Sequence, residues 1–298
     1  FDAKVRPEVA IDPATQRAAI TYQVDSGPRS VVGAIDFDGP TAPFSAQDLL
    51  GQIPLKAGAP YSRSAAERSD DRLQSWLISQ HYNLAEVKPP KIDRQPENRV
   101  HLTYPLHVGP RLEVQVKGAD FDKLKNGLLP FLGPEGYDEA LVQQARGKIK
   151  DFYQKDGYYH VVVDSVEVPT EGVLSLSITI QPGAQYVLES VNFHGNQGIS
   201  DRELSQLVEL SPKKLLALGS GRLVDSVLEQ DLENLRAYYA SQGYSQAKIG
   251  PKQVDEEKGG RLRLTIPIVE GPREQVGEMS FEGIDALKLD DFKAELPL

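Results

Sequence analysis

The sequence predicts an α+β protein built as a string of small repeats, each running strand, short helix, long helix, strand, strand. Three observations carry that prediction. A strand, a Gly-Pro break and a second strand ending in Gly recur as AAITYQVDSGPRSVVGAIDFDG at 18–39, VLSLSITIQPGAQYVLESVNFHG at 173–195 and RLRLTIPIVEGPREQVGEMSFEG at 261–283, with a looser copy across 100–118. Counting back nine, seven, five and three residues from Gly27, Gly109, Gly183 and Gly271 reaches sixteen positions, all apolar or Tyr, with the period of a half-buried strand. A second column precedes His81-Tyr82, Gly157-Tyr158 and Gly243-Tyr244: Leu77, Tyr153 and Tyr239 at minus four, Leu73, Ile149 and Leu235 at minus eight, and Ala66, Val142 and Leu228 at minus fifteen, which share one helix face. Trp76, Phe152 and Tyr238 at minus five are expected to fill the same cores.

Residues 1–29 read as the last two strands of a repeat, Ala3 to Ile11 and Ala18 to Val24, separated by the turn-prone DPATQ. The complete repeat 30–111 has strand Val31 to Asp38, helices Ala46 to Ile53 and Arg63 to Gln80, and strands Leu84 to Ile92 and Arg99 to Val108. In 112–185 the strand Leu112 to Val116 is followed by DFDKLKNGLLPF, the least clear helix of the array, then helix Asp138 to Lys155 and strands His160 to Val168 and Val173 to Ile180. In 186–274 the strand Tyr186 to Phe193 precedes a helix opened by the capping box Ser200-Asp-Arg-Glu203, helix Leu223 to Ser241, and strands Gln246 to Val254 and Arg261 to Val269. Residues 275–298 start a further repeat. Gly157 and Gly243 serve as helix stops in the left-handed conformation, whereas His81 lacks that ease, so its helix end is expected to be built differently.

Composition narrows the function. Net charge is -10, from 33 Lys+Arg against 43 Asp+Glu, which disfavours nucleic acid and anionic membrane surfaces as partners. With no Cys there is no disulfide framework, thiol nucleophile or cysteine-ligated metal. No apolar run reaches the about 18 residues of a membrane-spanning helix, and no signal peptide is recognisable. The chain opens and stops inside repeat patterns, as a piece of something longer would. The histidines are scattered without HExxH, GxSxG is absent, and Gly219-Ser220-Gly221 before a helix reads as a loop rather than a phosphate nest. No catalytic residue, cofactor or metal site is expected, and the chain reads as a non-enzyme.

The element order, the Gly-Tyr closing the second helix, the EGP after the third strand and the FEG or FHGN closing the first resemble POTRA domains, the polypeptide-transport-associated repeats of BamA-type outer-membrane protein assembly factors. The resemblance covers nearly the whole chain. It implies a three-stranded sheet covered on one face by two helices, with the third strand central and the strand after each Gly-Tyr at an edge. It also implies a periplasmic docking and chaperone-like scaffold whose partners are unfolded outer-membrane proteins, accessory assembly lipoproteins and its own C-terminal barrel. Alternatives are the POTRA region of a dedicated transporter of the two-partner type, against which the repeat count speaks, and an enzyme with a composite site between repeats.

A sheet edge can accept an extended peptide by main-chain hydrogen bonds with little demand on sequence. The candidate is His160, Val161, Val162, Val163, Asp164, Ser165 and Val166, a β-prone run without internal Pro or Lys; the corresponding runs contain Lys88-Pro89-Pro90-Lys91 and Gly250-Pro251-Lys252, which blunt an edge. The alternative is an ordinary edge never used for binding. A proline at Val162 is expected to block pairing. Gly27, Pro28, Gly109, Pro110, Gly183, Gly271 and Pro272 are expected inter-repeat joints, and Leu215, Leu216 and Leu218 form a candidate partner loop, unless they fold back on their own domain. Pro105 and Pro267 fall inside the strand expected to be central, where a missing N–H is poorly tolerated.

Overall fold

A computed structural model of the chain describes residues 4–12, 17–27, 29–212, 221–275 and 277. It forms two compact units, one of 1–150 with 161–182 and one of 151–160 with 183–298. The class is α+β. β1 (Lys4–Asp12) and β2 (Arg17–Asp25) pair antiparallel, and their partnered residues Val5 and Val24, and Val9 and Ile20, are exposed.

The predicted element order then occurs three times. The first module holds β3 (Val31–Asp38), α1 (Ala46–Leu50), α2 (Arg63–Ser79), an edge strand in two pieces, β4 (Glu86–Val87) and β5 (Lys91–Gln95), and β6 (Arg99–His107). The second holds β7 (Arg111–Lys117), α3 (Phe121–Lys125), α4 (Glu139–Lys155), β8 (Val162–Thr170) and β9 (Val173–Gln181). The third holds β10 (Val187–His194), α5 (Asp201–Leu207), α6 (Asp225–Ser241), β11 (Lys248–Ile249), β12 (Gln253–Glu257) and β13 (Arg261–Val269). In each of these three modules the last strand is central, parallel to the first and antiparallel to the edge strand or its pieces. The unclear segment DFDKLKNGLLPF divides into α3 and a single 3-10 turn, Pro130–Leu132, separated by Gly127 in a left-handed conformation.

The two sequence columns meet in the cores. Val100, Leu102, Tyr104 and Leu106 on β6 and their counterparts on β9 and β13 are buried, as are Leu73, Leu77, Val142 and Ile149; Val100, Leu102 and Tyr104 cluster with Ala66, Leu106 with Leu73 and Leu77, and the β13 residues with Leu228, Leu235 and Tyr239. Each such side chain contributes roughly 1.5–3 kcal/mol relative to exposure. The minus-five column lies at the rim instead. Trp76 is only partly buried, packing on Phe44 with ring centroids 4.8 Å apart, and Phe152 is 39% exposed. A helix face about 100° wide accommodates minus four and minus eight, and the next residue round falls on its border.

His81 also departs from expectation. Its φ of 69° is left-handed, like the 96° of Gly157 and 89° of Gly243, and the same bond follows it, Tyr82 N–H to Leu77 O at 3.0 Å. The corner is therefore built alike with or without glycine, at a conformational cost that falls on His81. At the end of each first strand, by contrast, the glycine is indispensable. A Cβ on Gly118 would stand 2.0 Å from the Ile180 carbonyl oxygen, and Gly39 and Gly195 meet Leu106 and Ile180's counterpart Ile268 in the same way.

Pro105 and Pro267 find their explanation in the sheet. Lys91 pairs with Thr103 and Val87 with Leu106, so three edge residues, Lys88 to Pro90, face the two central residues Tyr104 and Pro105. Pro105 has no N–H to offer there; its carbonyl accepts from Lys88 N at 3.0 Å. Pro267 repeats this with Gly250 N at 2.9 Å, opposite the gap between β11 and β12. The corresponding residue of the second module is Thr179, which pairs with Asp164, and β8 runs through nine residues unbroken.

Candidate functional site

β8 lies at the edge of the sheet ordered β7-β9-β8. The direction of its backbone groups follows from β7: Arg111 N–H donates to Gly172 O at 2.9 Å, which turns even-numbered residues of β9 toward β7 and odd-numbered ones toward β8. Through the antiparallel register, Val162, Asp164, Val166, Val168 and Thr170 turn their groups to β9, and Val163, Ser165, Glu167 and Pro169 turn theirs outward. Pro169 at an outward position costs no ladder bond, as edge prolines require.

The side chains alternate the other way. Val163 is buried against the helices, while Val162, Val166 and Val168 stand 47%, 58% and 50% exposed on the open face. The site is thus a row of outward N–H and C=O groups bordered by a valine stripe. Arg146 of α4 closes its beginning, donating from Nε to Val163 O at 3.0 Å and lying 3.7 Å from Asp164. Farther along, burial and then the Glu167 carboxylate push the Tyr137 phenol above its ordinary range, so it stays neutral beside the edge.

The other two edges are obstructed. In the first module Gln74 accepts from Val87 N–H at 2.9 Å and donates to Ala85 O at 2.6 Å, and in the third Arg236 donates to Ile249 O at 3.2 Å. Beyond those points Lys88-Pro89-Pro90 and Gly250-Pro251-Lys252 break each strand. These side-chain caps were not foreseen from sequence, and Gln74 shares its buried helix face with Ser69 and Asp70, so polarity alone does not mark it.

Two residues of the sequence candidate fall outside the strand. His160 lies in a turn, with Nε2 2.5 Å from Glu256 and its ring against Tyr159 and Tyr186, and Val161 is buried in the approach to β8. β propensity extends through HVVV, but the Gly157-Tyr158 corner needs those two residues to reach the sheet. Val162 is also the wrong place for a blocking proline, because its N–H points into the ladder; Ser165 points outward.

The glycines expected at joints adopt left-handed conformations, with φ of 61°, 69°, 74° and 72° at Gly27, Gly109, Gly183 and Gly271. Three residues beyond each of the last three, an N–H bonds the corner carbonyl: Leu112 to His81 O at 2.7 Å, Tyr186 to Gly157 O at 2.8 Å and Glu274 to Gly243 O at 2.7 Å. At the first of these corners Asn83 adds two further bonds, accepting from Tyr137 N–H at 2.7 Å and donating to Phe131 O at 3.2 Å. Pro28, the partner-loop candidates Leu215, Leu216 and Leu218, and all but Gln275 and Gly277 of the segment 275–298 lie outside the described residues.

The profile of the POTRA family, described as a surface antigen variable number repeat, matches residues 30–109 and 186–271. Outer membrane protein assembly factor BamA of Nitratidesulfovibrio vulgaris is 26% identical over 211 residues, covering 65% of this chain and 26% of that protein. Its counterpart from Neisseria meningitidis is 26% identical over 169 residues, covering 54% of this chain and 21% of that protein. The chain therefore spans about a fifth to a quarter of the length of these curated relatives. A crystal structure of POTRA domains 3–5 of Haemophilus influenzae BamA is 14% identical, with a TM-score of 0.39 over 81% of this chain and 96% of that one.

Proposed function

The chain belongs to the POTRA family, and from that premise we propose that it is a periplasmic docking scaffold for outer-membrane protein assembly, in which residues 30–111, 112–185 and 186–274 are complete repeats. It receives unfolded outer-membrane proteins by strand addition and feeds a C-terminal membrane barrel outside this sequence; accessory assembly lipoproteins are its further partners. The observation that carries this reading is the unbroken edge of β8, whose odd-numbered backbone groups face away from the sheet beside an exposed valine stripe. Clients that share alternating strands and little sequence are recognised by main-chain bonds, each worth about 0.5–1.5 kcal/mol net. The role this edge fits is capture and presentation of an extended chain. The test is binding of an unfolded outer-membrane strand peptide to the Ser165→Pro chain. About tenfold weaker affinity with an unchanged melting temperature is expected; equal affinity overturns the proposal.

A further inference from the structure

The opposite edge of the same sheet is open as well. On β7, Arg111 donates its N–H inward to Gly172 and Leu112 donates outward to His81 O, so Val114 and Val116 also present N–H and C=O outward. Among the described residues nothing bonds these outward groups of Val114 and Val116. Val114 borders a groove of about 1050 Å³, lined by five consecutive residues, Arg111 to Gln115, with Ile78 of α2, Phe121 and Lys125 of α3, and Leu132. Side chains alternate along a strand, so five consecutive lining residues mean that β7 meets the groove edge-on.

At the register position of Leu112 the other two modules take their acceptor from their own helix connection, whereas Leu112 takes His81 O from the preceding corner. Val32, Leu112 and Leu188 are equivalent by register, lying across from Val100, Leu174 and Leu262. Val32 donates to Ala59 O and accepts from Gly58 N–H, both at 2.8 Å, and Pro60 bridges Val31 antiparallel. Leu188 donates to Gly221 O at 2.9 Å. In both, the segment comes from the connection between the two helices. In the second module that connection turns away, bonding Asn83 through Phe131 and Tyr137. The strands differ too: β3 and β10 have register shifts after Val32 and Leu188, whereas β7 has none. A shifted edge is a poor template and a regular one a good template.

We propose that the outer edge of β7 is a second docking site, which takes an extended, uncharged polypeptide segment of another protein, antiparallel to β7. The segment's character is given by what the first module places there, Gly58-Ala59-Pro60-Tyr61, and by the apolar side chains of Ile78, Phe121 and Leu132 around the groove. It bonds Leu112 C=O, both groups of Val114, and Val116 N–H. With β8 occupied as well, one module holds two added strands.

The probe is a synthetic ten-residue peptide of alternating valine and threonine, titrated into the isotopically labelled 298-residue chain. The Val114 and Val116 amides should shift and exchange more slowly. Val114→Pro removes only an outward donor and should weaken this response about tenfold, while Ser165→Pro leaves it intact. Should Val114→Pro not fold, Phe121→Glu, which places a charge in the groove, must weaken the same response. Response confined to β8, or unchanged binding by whichever of these variants folds, overturns the β7 site without touching the β8 reading.

Discussion

Thr179 on β9 pairs with Asp164 on β8, at the position where Pro105 and Pro267 stand on the other two central strands. One residue type on the central strand thus accompanies the state of its neighbour: a donor with an unbroken edge, a proline with a divided one. Thr179→Pro is expected to divide β8. Amide exchange at Asp164 and Val166 should accelerate, and affinity for a strand peptide should fall by about tenfold or more, since one to two ladder bonds are lost. Pro105→Thr alone should not create a binding edge, because Pro89 and Pro90 remain.

Two glycines of the second module should respond oppositely to alanine. Gly118→Ala puts a Cβ against the Ile180 carbonyl at a φ of 85° and is expected to cost about 2–4 kcal/mol. Gly147 lies within α4 with open space where its Cβ would be, so Gly147→Ala should stabilise by about 0.5–1 kcal/mol. Urea denaturation of both variants checks the pair.

At His81 the strain should be recoverable. His81→Gly relieves a left-handed φ of 69° and is expected to stabilise by up to about 1 kcal/mol, less whatever the added freedom of the unfolded chain removes. Denaturation of this variant at pH 7 provides the comparison.

Glu270 should give the third module an acid-sensitive contact. Its carboxylate accepts N–H bonds from Gln197 at 2.9 Å and Gly198 at 2.9–3.0 Å, and the Tyr239 hydroxyl at 3.1 Å. Burial pushes its pKa up, but the N–H donors and the hydroxyl outweigh that and hold it below its ordinary 4.5. A lowered native value means that the stabilisation is complete above pH 4.5 and is lost as pH falls through the native value. Glu270→Gln should cost about 1 kcal/mol at neutral pH, allowing for solvent screening, and progressively less as pH falls through the lowered native value. Melting temperatures of both chains across that range test the sign.

Much of the fold was legible in the sequence because the sheets are one-sided. A face packed under helices must be apolar at every second residue, and four such columns in register exposed the repeat. Gly27, Gly109, Gly183 and Gly271 stood out for a similar reason, since each takes a conformation that favours glycine. The breaks in β4–β5 and β11–β12 were visible as Pro-Lys runs, but their partners Pro105 and Pro267 looked anomalous until the sheet set them opposite those breaks. Periodicity does not report which way an N–H points, so Val162 and Ser165 could not be told apart, nor could the strand be separated from His160. The β7 groove was invisible because it depends on where a connection turns, and Asn83, which holds that connection, carries no pattern of its own.

The central claim is that β8 captures an extended chain by its outward backbone groups. Hydrogen exchange of the β8 amides, with and without an unfolded outer-membrane strand peptide, tests it most directly. Selective slowing at Ser165 and Glu167 is predicted, with Val166 already protected by β9 and the slowing lost in Ser165→Pro. Unchanged exchange at Ser165 and Glu167 while the peptide is bound would contradict the account.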